Sequence, residues 1–279
     1  MLHIKHRLFV VFKYLVIFVT LVVFLFPIYW MIIASFRDNR ILMRLPPLFY
    51  PTFSYLRNFN LIITEPRYLV YIRNSLIVTV CSVTFCLTFS LLAGYSLSRY
   101  RFPFRRTLMM VLLSVQMFPI VAILISLFTF FTTLRLTNNY AGLVLANVSM
   151  SLPLAIWMLK SFFDGVPRSL DESAKIDGCG RLHTMIQVIM PLIKPGILAV
   201  GIYSFLQAWD DYLFSLVLMN RNNMKTLTVG IVESFLGEFS DNYAGMMAMS
   251  LITSLPVMLI FAVFQKNMVA GLTAGAVKE

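Results

Sequence analysis

Six stretches of this chain, each long and almost purely apolar, limit its fold more than anything else in the sequence. They cover residues 14–34, 74–97, 107–131, 140–160, 197–219 and 246–265. A helix that crosses a bilayer needs about 20 largely apolar residues. In lipid every backbone polar group must be satisfied internally, so only helices and closed barrels can span. The runs here are continuous rather than alternating, which selects helices. The fold class is therefore all-α integral membrane, with six transmembrane helices. Composition agrees, at 59% apolar and 13% charged, against roughly 45–50% and about 25% in soluble domains.

The formal charge of +11 would suggest nucleic acid on a soluble chain. Here basic residues in short loops instead set orientation. The 98–106 connection holds Arg99, Arg101, Arg105 and Arg106, whereas 132–139 holds only Arg135. Lys5, Arg7 and Lys13 sit before the first span. These residues put both termini, and the long connection 161–195, on the cytoplasmic side. The 35–73 loop dissents, with Arg37, Arg40, Arg44, Arg57, Arg67 and Arg73. Its Pro46-Pro47, Pro51 and Pro66 and its aromatic texture predict an ordered segment or short interfacial helices.

The reading along the chain is a cytoplasmic stub over 1–13, a six-helix transmembrane domain over 14–265 and a cytoplasmic tail over 266–279. The first apolar run is too long for a signal peptide and has no Ala-x-Ala site, so it is read as a retained helix. Cys81 and Cys86 lie inside a span and Cys179 in the connection, which is no disulfide framework. His3, His6 and His183 have no clustered carboxylate or thiol partner, so no metal site is expected.

Residues 161–195 form a polar island between two apolar runs, with Lys160 at its edge. Pro167 suits a first helical turn, and Asp171 and Glu172 suit the positive end of a helix dipole. Gly178 suits a helix stop. A second short helix fits 181–190, with Leu182, Met185, Ile186, Ile189 and Met190 apolar and Pro191 breaking it. Small residues at 173 and 174 leave room for a partner. An interfacial helix pair lying on headgroups would have the same pattern.

Polar residues inside spans usually face the bundle interior. Gln116-Met-Phe-Pro119 predicts a kink in span three. Asn147 and Ser151, four apart, share a face of span four. Asp210 and Asp211 stand in span five, where a carboxylate costs about 2.5–3.5 kcal/mol at a helix centre. Either one of them faces a polar cavity or partner, or both reach the outer interface.

Glu172-Ser173-Ala174-x-x-Asp177-Gly178-Cys179, followed by Met185, Val188, Met190 and Pro191, resembles the "EAA" loop of ABC-importer permeases. The family pattern is Glu-Ala-Ala-x-x-Asp-Gly-Ala, five residues, then Phe-x-x-Ile-x-Leu-Pro. The departures, Ser173, Cys179, Met185, Val188 and Met190, are size-tolerant. Gly94-Tyr95 through Pro103, the Gln116 run, Phe205 through Leu213 with Trp209, and the tail from Gly271 to Lys278 resemble the carbohydrate branch, in particular the smaller membrane subunit of maltose-type importers. Family members commonly carry Asn where this chain has Asp210.

The resemblance implies a type I ABC importer permease fold with a coupling-helix loop, in a bacterial cytoplasmic membrane. It implies a sugar, in particular oligosaccharide, importer. Two copies of a cytoplasmic ABC ATPase would bind ATP and Mg, with no cofactor on this chain. A second homologous permease and an extracytoplasmic sugar-binding protein complete the expected partners, besides membrane lipid; nucleic acid is not among them. Glu172, Ser173, Ala174, Asp177, Gly178 and Pro191 are the expected ATPase-coupling residues. Gln116, Asn147, Ser151, Trp209, Asp210 and Asp211 are candidates for the pathway. The chain has no Gly-Lys dipeptide and hence no Walker A loop, so catalysis is not expected of it. An ion-coupled secondary transporter using Asp210 or Asp211, an ABC permease for a non-sugar solute, and an enzyme built on Cys179 and His183 are the competing readings.

Overall fold

The computed structural model describes residues 2–53, 55–237 and 240–276, with side chains over 9–53, 55–236 and 242–265. The Lys5 and Arg7 side chains and those of the tail motif from Gly271 to Lys278 lie outside the described residues. The described residues are overwhelmingly helical. The β structure among them is one antiparallel pair, β1 (Leu236–Gly237) with β2 (Ser240–Asp241), in which Leu236 faces Asp241. Four helices are long and apolar enough to cross a membrane alone: α1 (Leu2–Ser35), then Pro66–Arg99, Tyr140–Asp164 and a last helix from Tyr243. Two bent pairs bring the count to six when each is taken as one span.

The contacts divide the chain into two compact units, one of residues 1–66 with 231–255 and the other of 67–230 with 256–279. In the first unit, α1 leaves its most apolar stretch entirely unburied. A helix apolar on every side belongs in a membrane or against another chain. The loop after it is ordered by Arg37, which is buried and donates to the Leu48 and Tyr50 carbonyls. Asn58, on α2 (Arg57–Thr64), donates to the Ser35 and Arg37 carbonyls at 3.0 and 2.8 Å. Arg37 therefore serves the loop's own backbone, which explains part of that loop's dissent from the charge rule.

The second unit is built on α3 (Pro66–Arg99) and α6 (Tyr140–Asp164). Pro66 opens α3, where a missing N–H costs nothing. Asn139 caps α6 through the Ala141 N–H at 2.9 Å. The two helices approach closely at Gly94, where a Cβ would stand 3.2 Å from both the Leu159 Cβ and the Lys160 nitrogen. Between them lie α4 (Arg105–Ser114) and α5 (Ile120–Thr133), bent by 100° around Phe118-Pro119. The proline has no N–H to continue the helix, so the predicted kink becomes a full corner.

The island forms α7 (Ser169–Ile176) and α8 (Arg181–Leu192). Pro191 does not break α8. The helix widens to a π turn over Thr184–Ile189 just before it, and the chain turns by 87° only at Ile193. A π turn shifts hydrogen bonding to i→i+5, which frees the position that the proline ring would otherwise strike. The window 197–219 holds two helices, α9 (Lys194–Trp209) and α10 (Leu213–Leu218). Two further helices follow, α11 (Leu227–Phe235) and α12 (Tyr243–Ala276). One core cluster joins α3, α6, the island and α9 through Cys86, Tyr95, Leu159, Phe163, Met185, Ile189 and Val200.

Candidate partner-docking site

Helix α7 is short, so its geometry depends on its ends. At its C-terminus Gly178 takes φ +80, a left-handed conformation that costs glycine no Cβ clash. The Gly178 N–H donates to the Lys175 carbonyl at 3.1 Å and the Cys179 N–H to the Ala174 carbonyl at 2.9 Å. That is the crossed pattern of a Schellman stop, which satisfies the carbonyls left over at a helix end. At the N-terminus, Asp171 turns inward. Its Oδ2 lies 2.9 Å from Arg99 Nε, and its Oδ1 accepts from the Tyr95 hydroxyl at 3.0 Å.

Arg99 and Arg168 exchange caps between helix ends. Arg99, the last residue of α3, donates to the Phe163 and Val166 carbonyls at 3.0 and 3.1 Å, at and just past the end of α6. Arg168 donates to the Ser98 carbonyl at 3.1 Å. The Ser98 hydroxyl donates to Asp164 Oδ1 at 2.6 Å, and Lys160 pairs with the other oxygen of that carboxylate. Arg181 stacks over the Tyr100 ring at 5.1 Å. Cations at helix C-termini complement both the dipole and the orphan carbonyls. The island is thus fastened to the ends of two spans by side-chain bonds at several points.

The predicted coupling residues separate by face. Ala174 is buried against the fold, which accounts for the small residue there. Glu172, Ser173, Asp177 and Gly178 are exposed, and Pro191 is exposed on α8. Beside them stand Ile176, 86% exposed, and Leu182, 63% exposed, with Ile186 also outside. Met185 and Ile189, on the opposite face of α8, are in the core. The apolar residues of α8 therefore serve two surfaces. Exposed aliphatics therefore stand around the Glu172 carboxylate on this face.

The predicted pathway residues are only partly brought together. Asn147 and Ser151 are buried on one face of α6, with the Ser151 hydroxyl on the Asn147 carbonyl at 2.9 Å. The Asn147 amide donates to the Leu143 carbonyl at 3.2 Å, and Asp211 lies near it. Asp211 caps α10, accepting from the Phe214 and Ser215 N–H groups at 3.1 Å each and from the Ser215 hydroxyl at 2.8 Å. Its carbonyl accepts from Thr228 at 2.5 Å. Span five is broken because this side chain takes donors that a continuing helix would have bonded to backbone. Trp209 is buried and stacks on Phe205, with centroids 5.6 Å apart. Asp210 is exposed. Gln116 is elsewhere engaged, donating to the Met150 carbonyl at 2.6 Å. Among the described residues no three His, Cys, Asp or Glu side chains form a group able to hold a metal ion.

Sequence reasoning did not join Arg99, Tyr95 and Asp171 into one contact. Arg99 reads as an orientation charge and, with Tyr95, as part of the Gly94–Pro103 run, and Asp171 as a dipole complement. Their signal was the basic end of span two and the acid beside Glu172, far apart along the chain.

A family described as binding-protein-dependent transport system inner membrane component matches residues 86–273, a stretch that contains the whole island. The chain belongs to this family. Among its relatives, the sulfoquinovosyl glycerol transport system permease protein SmoH of Agrobacterium fabrum is 33% identical over 254 residues, 91% of this chain and 89% of that protein. The diacetylchitobiose uptake system permease protein DasC of Streptomyces coelicolor is 34% identical over 263 residues, 94% of each. A crystal structure of a bacterial ABC transporter involved in the import of the acidic polysaccharide alginate contains a chain of the same fold, with TM-score 0.81 at 18% identity over 94% of this chain and 97% of that one. This family member is a membrane-embedded transport component, and its fold is that of an ABC importer permease.

Proposed function

We propose that this chain is one permease subunit of an ATP-driven importer of sugars, in particular oligosaccharides. Family membership and relatives named for sulfoquinovosyl glycerol and diacetylchitobiose support the substrate class. The observation that carries the mechanism is the two-sided island. Its inner face is fastened by Asp171, Arg99 and Arg168, and its outer face offers Glu172, Ile176 and Leu182. A knob held this way passes a push to the ends of α3 and α6 without absorbing it. The partner it fits is a separate ATPase, present in two copies, that binds ATP and Mg. A second homologous permease forms the other half of the pathway, and an extracytoplasmic sugar-binding protein delivers the substrate. The chain holds no cofactor and breaks no bond itself. It sits in the bacterial cytoplasmic membrane, with both termini and the island on the cytoplasmic side, as the loop charges favour. ATP-driven closure of the ATPase pair then rocks the spans between two access states.

Glu172 is the charged contact, Ser173 allows a partner close approach, Ala174 seats the helix against the fold, Asp177 and Gly178 form the bend, and Pro191 shapes the exit into α9. Within the membrane domain, Asn147, Ser151, Trp209 and Asp211 belong to the frame around the broken span, Asp210 is the exposed acid available to a substrate, and Gln116 is held on the Met150 carbonyl away from it. Replacing Gly178 with Asp adds a charged side chain at a left-handed position on the outer face. The variant should insert and assemble its spans normally but lose most sugar uptake and its coupling to ATP hydrolysis. Uptake at the native rate, with equal expression, overturns the docking role.

A further inference from the structure

A second feature of the same membrane edge is unused by the docking reading. An open cleft of about 710 Å³ lies between α4 and the end of α6. Its floor includes Met110 and the rings of Phe104 and Trp157, which are 80% and 48% exposed. Phe104 stands at φ 62 immediately before α4, and that turn leaves its ring outside the bundle. The rim carries Arg105, Arg106 and Lys160. Lys160 is paired with Asp164, and Arg105 donates to the Tyr100 carbonyl at 3.4 Å and lies near the same carboxylate. Arg106 makes no hydrogen bond or ion pair among the described residues. Two of the three rim cations therefore lie near one carboxylate, already shared between Lys160 and Ser98, and Arg106 lines the cleft without one.

We infer that this cleft binds the headgroup of an anionic phospholipid. An uncharged lipid would cover the rings and leave the arginines without a counter-ion. A soluble phosphate would meet the arginines and leave Phe104, Met110 and Trp157 bare. A molecule with one anionic phosphate and two acyl chains satisfies both halves at once. The depth agrees, because Arg105 opens α4 where span three begins and Lys160 lies in the last turn of α6. Aromatic rings and snorkelling cations belong at that level of a bilayer, and basic pockets between spans take anionic headgroups.

The full chain, purified with the subunits that accompany it and stripped of lipid, should be titrated with phosphatidylglycerol or phosphatidylcholine and the retained lipid counted by native mass spectrometry. Phosphatidylglycerol should be retained preferentially. Its retention should fall about 5-fold in Arg106→Gln and about 30-fold in Arg105→Gln/Arg106→Gln, while Arg135→Gln leaves it unchanged. Arg106→Gln removes no internal contact, so the test does not depend on the double variant folding. Equal retention of the two lipids overturns the inference, as does full retention in Arg106→Gln. Displacement by water-soluble glycerophosphate as effectively as by lipid assigns the cleft to a free phosphate instead. A cross-link from Met110→Cys to a partner permease that forms regardless of added lipid assigns it to that chain. None of these readouts depends on transport.

Discussion

Twice in this chain two carboxylates stand side by side, at Asp171-Glu172 on the island and at Asp210-Asp211 in span five. Each pair divides the same way. One acid turns inward onto partners in the fold, and its neighbour stays exposed. The inward acids are satisfied by different means. Asp171 meets a cation, Arg99, from a helix distant in sequence, and its side chain and that of Arg99 are 16% and 7% exposed. Asp211 meets only neutral donors, two backbone N–H groups and a hydroxyl from the next helix. At the membrane edge a charge pair fastens one element to another. In span five, hydrogen bonds to a helix start hold a carboxylate in place, and the helix before it ends there.

Breaking the charge pair should have the largest effect. Removing one partner of a buried pair strands the other charge and costs about 3–5 kcal/mol. Arg99→Ala should lower the stability of the chain by that much in a micelle unfolding titration. Arg99→Ala/Asp171→Ala should cost clearly less than the two single changes added. A loss below about 1 kcal/mol would make the contact an ordinary surface bridge and remove the contrast between the two pairs.

The capping acid should cost less. Asp211→Ala leaves the Phe214 and Ser215 donors without their acceptor, worth about 1–3 kcal/mol. Asp211→Asn keeps an acceptor oxygen and should recover most of it. If Asn and Ala are equally damaging in the same titration, the charge itself is what the site needs, and the two acids are alike after all.

The exposed members should scarcely affect stability. Asp210→Asn should insert as well as the native chain and change stability by no more than about 0.5 kcal/mol. Its effect belongs in uptake. A changed sugar preference or rate makes Asp210 a pathway residue, whereas unchanged kinetics with every sugar tested removes it from the pathway. Glu172 is its counterpart on the docking face, so Asp210 and Glu172 variants should fail in different assays: substrate preference for the first, ATP coupling for the second.

The helices and the island were legible from sequence because hydropathy and helix-stop chemistry are local. Twenty apolar residues read as a span wherever they fold, and Gly178 reads as a stop without knowledge of its surroundings. The kink at Pro119 was legible for the same reason, though its 100° size was not. Pro191 shows the limit. A proline alone signals a break, but the π turn before it absorbs the clash and moves the corner to Ile193. The break in span five had a visible cause, Asp211, but nothing nearby shows whether a buried acid will find a polar cavity, a lipid headgroup or the next helix start.

The sequence by itself determined that this protein is built of membrane helices with one polar, helical connection between two of them. Burial of apolar surface and satisfaction of backbone within each helix need no other part of the chain. Only the tertiary structure decided which acid of each pair is anchored and which is free, and which face of α8 looks outward. Those choices depend on Arg99, Tyr95, Asn147 and the core at Met185 and Ile189. Distances between helices far apart in sequence bring these residues into place, and no local pattern encodes them.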